Sequence, residues 1–309
     1  MSETVAAVVV TYNRKQLLSE CLDALLAQTR PVDKIILIDN ASSDGTVEML
    51  QDSGYLENSI IEHVRLSENT GGAGGFHEGM RRAVEAGHDW IWVMDDDGRP
   101  ALDTLALLLE TPAMQECRSR APLVMDKESG KLSWGYSNGE KLIGFLPNIA
   151  KIQEVDQITT DVISDANFFL GNLFHRDIIV RVGLPIREMF IWGDEIEFHQ
   201  RLIVNGVKSM TLCAARFYHP ADPKNFVTVW RGVLGNKLIV SKLRLYCAYR
   251  NKAYTWRKYN LIGKLAFWYL RESLKYMVSV DFTGWLLINR AIIDGVAGRW
   301  GKERQYLLP

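Results

Sequence analysis

Apolar residues in the first hundred positions follow two alternating spacings. The unbroken runs "VAAVVVTY" and "DKIILIDN" read as strands buried on both faces, because a strand covered on one face only would alternate apolar with polar residues. Between them, "KQLLSECLDALLAQ" repeats Leu17, Leu18, Cys21, Leu22, Leu25 and Leu26 at helical spacing. Strand, helix and strand in this order predict a βαβ unit and a parallel sheet. The alternation continues with "DGTVEMLQDS" as a helix, "IEHVRLSEN" as a strand, "GGFHEGMRRAVEAG" as a helix and "WIWVMDDD" as a fourth strand.

Each of these strands ends in a polar cluster: Thr11 to Arg14, Asp39 to Asp44, Asn69 to Gly75, and Asp95 to Asp97. In an open α/β sheet ligands bind at the carboxyl ends of the strands, so the four clusters are expected to converge. Residues 121–172 are less periodic and read as mixed strands and loops. "SDANFFLGNLFHRDIIVRVG" predicts a strand and then a helix, and "FIWGDEIEFHQRLIVNG" a helix with acids in its first turn, where the helix dipole favours them. From about Asn225 strand alternation stops, and two or three amphipathic helices rich in aromatic and basic residues are expected.

The composition is that of an ordinary globular chain: 309 residues, 47% hydrophobic and 24% charged. Its net charge of −1 conceals an asymmetry, since residues 224–309 carry 16 Lys and Arg against 4 Asp and Glu, which leaves −13 for the first 223. Four scattered cysteines contain no CxxC pair, so neither a disulfide framework nor a thiolate zinc site is expected, and a reducing cytoplasm is the expected location. The N-terminus shows no leader pattern, and no apolar run reaches the roughly 18 residues a membrane span needs.

The strand-end clusters narrow the chemistry. Three consecutive acids, Asp95, Asp96 and Asp97, repel one another unless something binds them, and carboxylate oxygens suit a hard divalent cation that also takes phosphate oxygens. A solvated acidic turn is the plainer reading of such a run taken alone. "SENTGGAGGFHEGMRRA" sets Gly71, Gly72, Gly74 and Gly75 ahead of a helix, where they would permit close backbone approach to a ligand, or simply form a turn. It matches neither GxGxxG nor a Walker A loop. Asp39 is placed to bind a ribose, a base edge or a helix N-terminus, whereas Asp44 reads as a helix cap.

Taken together, "VVVTYNR", "LIDNASSDGT", "ENTGGAGGFHEG", "VMDDD" and "FIWGDEIEFHQR", in this order, resemble the inverting glycosyltransferase family 2 over roughly residues 4–220. The resemblance implies a GT-A fold, an α/β nucleotide-sugar-binding architecture with a mainly parallel sheet, in residues 1–223, followed by a helical C-terminal region, 224–309. It implies that Thr11, Tyr12, Arg14 and Asp39 grip the nucleoside and diphosphate, and that Asn69 and the four glycines line the donor pocket. Asp95 and Asp97 fit the family's DXD motif and imply Mn²⁺ or Mg²⁺, with His219 of "RFYHPADP" completing the metal site and Asp96 beside it. The acidic pair Asp194 and Glu195 matches the family's catalytic acids. Glu195, the second of the two, is the favoured general base, although the order Asp-Glu departs from the common Glu-Asp or Asp-Asp. Among the aromatic residues Trp134, Phe168, Phe169, Phe190 and Trp192, the last is singled out for stacking on a sugar.

Within the family the motifs look most like the bacterial galactofuranosyltransferase branch, which implies a UDP-galactofuranose donor and a surface-glycan acceptor, free or lipid-linked. A dTDP-rhamnose-dependent rhamnosyltransferase and a non-catalytic nucleotide-sugar-binding protein are the alternatives. For the basic tail, nucleic acid is disfavoured because no binding motif accompanies it and the rest of the chain is acidic. A dimerising helical pack stays open. An anionic membrane surface fits best, with Trp256, Trp268, Tyr269, Trp285 and Trp300 interleaved among the cations, and makes the protein peripheral to the inner face of the cell membrane.

Overall fold

A computed structural model describes residues 3–136, 152–220 and 226–307. The chain divides into two compact units, one of Met1–Lys141, Asn148–Arg187 and Phe198–Ala221, the other of Leu142–Pro147, Glu188–Glu197 and Asp222–Pro309.

The first unit begins as the apolar spacing requires. Strands β1 (Val5–Thr11), β2 (Lys34–Asp39), β3 (Ile61–Arg65) and β4 (Trp90–Asp95) alternate with helices α1 (Lys15–Leu26), α2 (Thr46–Asp52) and α3 (Gly71–Glu85). They lie side by side in the order β3-β2-β1-β4, all parallel. Val5, Ala7 and Val9 face Leu18, Leu22 and Leu25 of α1, while Ala6, Val8 and Val10 face Phe76, Met80 and Ala83 of α3. Both faces are covered, which explains the unbroken apolar runs.

Beyond β4 the sheet becomes mixed. After β5 (Arg99–Pro100), α4 (Thr104–Glu110), β6 (Ser119–Met125) and β7 (Val162–Ile163) come β8 (Leu170–His175), α5 (Arg176–Val182), α6 (Asp194–Val204) and β9 (Ser209–Tyr218). β8 inserts antiparallel beside β4, β6 and β9 pair in parallel, and β5 and β7 add antiparallel to β9. The β6–β9 register slips between Pro122 and Leu123, where the proline has no N–H for the ladder. The expectation of a mainly parallel sheet therefore describes the first four strands and the β6–β9 pair, and the rest is antiparallel.

The glycines also differ from expectation. Gly71, Gly72, Gly74 and Gly75 lie inside the first turns of α3, not in a loop ahead of it. A Cβ on Gly75 would stand 2.4 Å from Val10 Cγ1, and one on Gly79 2.3 Å from Val8 Cγ1. These two positions are glycine because α3 lies directly on β1.

In the second unit a hairpin of β10 (Phe226–Thr228) and β11 (Asn236–Leu238) precedes α7 (Lys242–Lys258), α8 (Ile262–Val278) and α9 (Phe282–Ala297). The three helices share a core that includes Tyr246, Ala253, Trp256, Trp268, Tyr276, Ile288 and Ala291. Trp256 and Trp268 are 3% and 5% exposed, so they build this core and are not available to a membrane. The apolar side chains that do reach the surface are others: Phe267, Leu270 and Leu274 of α8, Val280, Phe282, and Leu286 and Ile293 of α9. Among the described residues no helix is long and apolar enough to cross a membrane. All four cysteines are buried and free.

Candidate active site

Parallel pairing aligns three of the polar clusters. Thr11 is level with Asp39 across β1 and β2, and Val10 with Asp95 across β1 and β4. At this edge Asp96, 2% exposed, accepts a 2.7 Å hydrogen bond from Thr11 Oγ1 on one oxygen and a 3.2 Å bond from Arg14 Nη1 on the other. The same Arg14 nitrogen lies 2.7 Å from Asp97 Oδ2, so one guanidinium ties two neighbouring carboxylates. Cation and hydroxyl together let a carboxylate remain in so dry a place.

The other Asp97 oxygen, Oδ1, is buried, lies 3.2 Å from His219 Nε2 and takes part in no aligned hydrogen bond. His219 Nδ1 is 2.7 Å from Pro220 O. A carbonyl can only accept, so Nδ1 carries the hydrogen and Nε2 is the nitrogen turned to Asp97. Burial opposes charge on both groups. Their mutual attraction outweighs it, with Arg14 assisting, and Asp97 lies below the usual carboxylate range while His219 is raised. Burial and its two acidic neighbours push Asp95 up to about 8, and burial lifts Asp96 to about 6 against the pull of Arg14 and Thr11.

At the end of β2, Asp39 Oδ1 accepts from Ser42 N at 2.8 Å, while Oδ2 is buried with no hydrogen bond and faces His63 Nε2 at 3.7 Å and Arg65 Nε at 3.8 Å. Burial pushes this carboxyl up, but the His63 ring and the Ser42 bonds outweigh it and the net displacement is downward. Tyr12 is 44% exposed beside this edge. Asn13 adopts φ 54° and ties the two strand ends together, its Oδ1 accepting from Ser43 N at 2.7 Å and its own N–H reaching Ser42 Oγ at 3.0 Å. Asp44 accepts from Lys15 N, the first residue of α1, at 3.1 Å and from Thr46 Oγ1, the first residue of α2, at 2.5 Å, so it serves the starts of both helices.

Asn69 Oδ1 accepts from Gly71 N at 2.8 Å, closing the turn into α3. Asn40, which the motif reading passed over, secures this turn from the neighbouring strand end: its Oδ1 accepts from Thr70 Oγ1 at 2.9 Å and its Nδ2 donates to Gly71 O at 3.2 Å. A Cβ on Gly74 would collide with Thr70 and one on Gly75 with Val10, whereas at Gly72 it would meet open space. Gly74 and Gly75 are accordingly packing residues, and Gly72 is the one of these three whose α-carbon faces outward.

The acidic pair belongs to the second unit. Asp194 is buried at the start of α6, and Glu195 Oε2 accepts from Gly193 N at 2.8 Å. The third acid of this turn, Glu197, is fully buried and held by Lys258 Nζ at 2.6 Å and Tyr259 OH at 3.0 Å. Trp192 adopts φ 58° and carries the Arg244 guanidinium 5.6 Å from its ring centroid. Of the remaining aromatic candidates, Phe168, Phe169 and Phe190 are buried, with Phe169 stacked on Phe76 at 4.5 Å, and Trp134 is exposed.

The family model "Glycosyl transferase family 2" matches residues 6–145. Over 298 residues the chain is 32% identical to the galactofuranosyltransferase GlfT1 of Mycolicibacterium smegmatis, covering 94% of this chain and 96% of that one. The chain belongs to glycosyltransferase family 2. It is therefore a glycosyltransferase, homologous to galactofuranosyltransferases. Solved structures agree on a GT-A fold. GalNAc-T7 with UDP, GalNAc and Mn²⁺ aligns at TM-score 0.57 and 17% identity over 82% of this chain and 50% of its own. The mannosyltransferase PcManGT from Pyrobaculum calidifontis, with GDP-Man and Mn²⁺, aligns at 0.53 and 17% over 99% of this chain and 78% of its own.

Proposed function

We propose that this enzyme transfers galactofuranose from UDP-galactofuranose, with inversion, to a growing bacterial surface glycan carried on a lipid. The observation that carries the donor half of this reading is Asp97, held by Arg14 on one oxygen and turned to His219 Nε2 on the other, at the carboxyl end of β4. Support for the sugar is the name and full-length similarity of the mycobacterial relative.

The residues present fit a divalent cation. A buried Asp97 oxygen without an aligned hydrogen bond, an imidazole nitrogen facing it and a neighbouring carboxyl, Asp95, are donors of the kind that a hard cation takes. Among the described residues no three such side chains are disposed to hold a metal unaided. Asp97 and His219 would hold the ion, with Asp95 next to them and donor phosphate oxygens supplying further ligands. Bound there, Mn²⁺ or Mg²⁺ would neutralise the nucleoside diphosphate as it leaves. Arg14 adds a fixed positive charge to the same region, Asp39 offers its open oxygen to the nucleoside, and Asn69 with Gly72 borders the donor. Glu195 takes the proton of the acceptor hydroxyl as that oxygen attacks the anomeric carbon.

For the acceptor, the apolar side chains exposed on α8 and α9, together with the basic excess of residues 224–309, support a peripheral position on an anionic inner membrane face. The experiment for the whole reading is release of UDP from UDP-galactofuranose by metal-stripped enzyme, before and after Mn²⁺ is returned, with a galactose-terminated acceptor. Restored turnover supports it; no turnover by folded, metal-loaded enzyme removes it.

A further inference from the structure

Residues 188–193, immediately before the acidic pair, follow an unusual backbone path. Phe190 has φ 66°, Trp192 φ 58° and Gly193 φ 97°, and Ile191 N donates to Met189 O at 2.8 Å across Phe190, a three-residue turn of the strained kind. Such a path persists only where its surroundings hold it.

Two adjacent residues in the middle of α7 do the holding. Arg250 and Asn251 are both fully buried. Arg250 Nη2 donates to Glu188 O at 3.1 Å and Met189 O at 2.9 Å, while Nη1 pairs with the buried Glu303. Asn251 Nδ2 lies 2.8 Å from Met189 O, 3.0 Å from Ile191 O and 2.7 Å from Trp192 O. Its Oδ1 accepts from Arg250 Nε at 3.0 Å. The amide has one orientation open to it, because carbonyls accept only and Nε donates only. Gly193 closes the contact: a Cβ there would stand 3.1 Å from Asn251 Cβ. Beyond Gly193 the chain enters α6 with the Gly193 N–H already bonded to Glu195.

We propose that Asn251, oriented by Arg250, is a positioning residue for Glu195, fixing the 189–193 turn so that the carboxylate is presented in one geometry. This rests on the reading of Glu195 as the base. Region 224–309 would then contribute to catalysis through Glu195, apart from any role at a membrane.

The test is a double-mutant cycle on the full chain. Asn251→Ala should lower kcat about a hundredfold, the effect of a reacting group misplaced by about an ångström, while UDP affinity stays within about twofold, a margin far below that loss. In the Glu195→Gln background the same change should cost less than about threefold, because a group that acts through Glu195 has nothing left to position. An equal loss in both backgrounds would make Asn251 merely structural and overturn the proposal. Full activity of Glu195→Gln alone would overturn it differently, by removing the base. Where Glu195→Gln turnover falls below detection, hydrogen exchange decides: faster exchange of amides 190–195 in Asn251→Ala, with strands β1 to β4 unchanged, supports the proposal. Unchanged exchange there sinks it.

Discussion

His219 Nε2 lies 3.2 Å from Asp97 Oδ1, and His219 Nδ1 is occupied by Pro220 O. Asp97 lies two residues past the end of β4 and His219 one residue past the end of β9, and the two side chains face each other as a close pair. A histidine fixed by its second nitrogen is prepared to offer the first to a cation.

That relationship yields the metal prediction. His219→Ala should raise the Mn²⁺ concentration needed for half-maximal turnover by about 10- to 100-fold, the usual cost of disturbing a metal's surroundings. Asp97→Asn should abolish turnover at any Mn²⁺ concentration tested, since it removes a charge shared with Arg14. The measurement is released UDP against a Mn²⁺ titration, and undiminished activity in excess EDTA would refute metal use.

A second prediction concerns stability alone. Thr11 Oγ1 and Asp96 are both buried and joined at 2.7 Å. Thr11→Val keeps the shape and removes the hydroxyl, leaving Asp96 Oδ2 without its donor, which should cost about 1–3 kcal/mol in urea unfolding. A change smaller than a few tenths would mean that water replaces the hydroxyl.

Much of this architecture was legible from spacing. β1 to β4 and α1 to α3 could be read because each strand is covered on both faces and each helix on one, and the strand-end acids followed from that order. The antiparallel insertion of β8 beside β4 was not, since pairing partners distant in the chain leave no periodic trace. Nor was the role of Gly75, which depends on Val10 standing under it and not on its neighbours in sequence. Trp256 and Trp268 misled for a related reason: in a small helical unit large aromatics fill the core, while Phe267 and Leu270, at 69% and 66% exposure, take the surface. Arg250 and Asn251 look like ordinary solvated helix residues until their buried partners are seen.

The acidic pair should divide its roles unequally. Glu195→Gln keeps the shape but cannot accept a proton, so transfer should fall by about two to four orders of magnitude with UDP affinity unchanged. Asp194→Asn should cost less. Comparing kcat of the two variants checks the order, and a dead Asp194→Asn beside an active Glu195→Gln would reverse the assignment within the pair.

The helical unit should bind acidic vesicles. Co-sedimentation with vesicles containing phosphatidylglycerol is expected, weakened by salt as the surface charge is screened. Phe267→Glu with Leu270→Glu should abolish it, both side chains being outside the core. Equal binding to neutral vesicles would indicate a purely apolar contact, and a concentration-dependent dimer that the double variant dissolves would assign this face to a second copy of the chain.

The donor provides the last prediction. On the proposed reading base, diphosphate and sugar make separate demands: Asp39 and its neighbours would serve the base, Arg14 and the acid run the diphosphate, and the Gly72 region the sugar. UDP-galactofuranose and UDP-galactopyranose are identical in the first two, so they should bind with similar UDP-dominated affinity. The five-membered ring and its exocyclic diol alter only the third demand, and with it the position of the anomeric carbon relative to Glu195. Discrimination should therefore appear in kcat, with the pyranose donor slower by at least about a hundredfold, because hydroxyl groups that no longer meet their partners leave polar groups unpaired in the transition state. Parallel rates and inhibition constants for the two donors measure this directly. A dTDP-rhamnose donor turned over faster than either would reassign the sugar while leaving Asp97, His219 and Glu195 in the same roles.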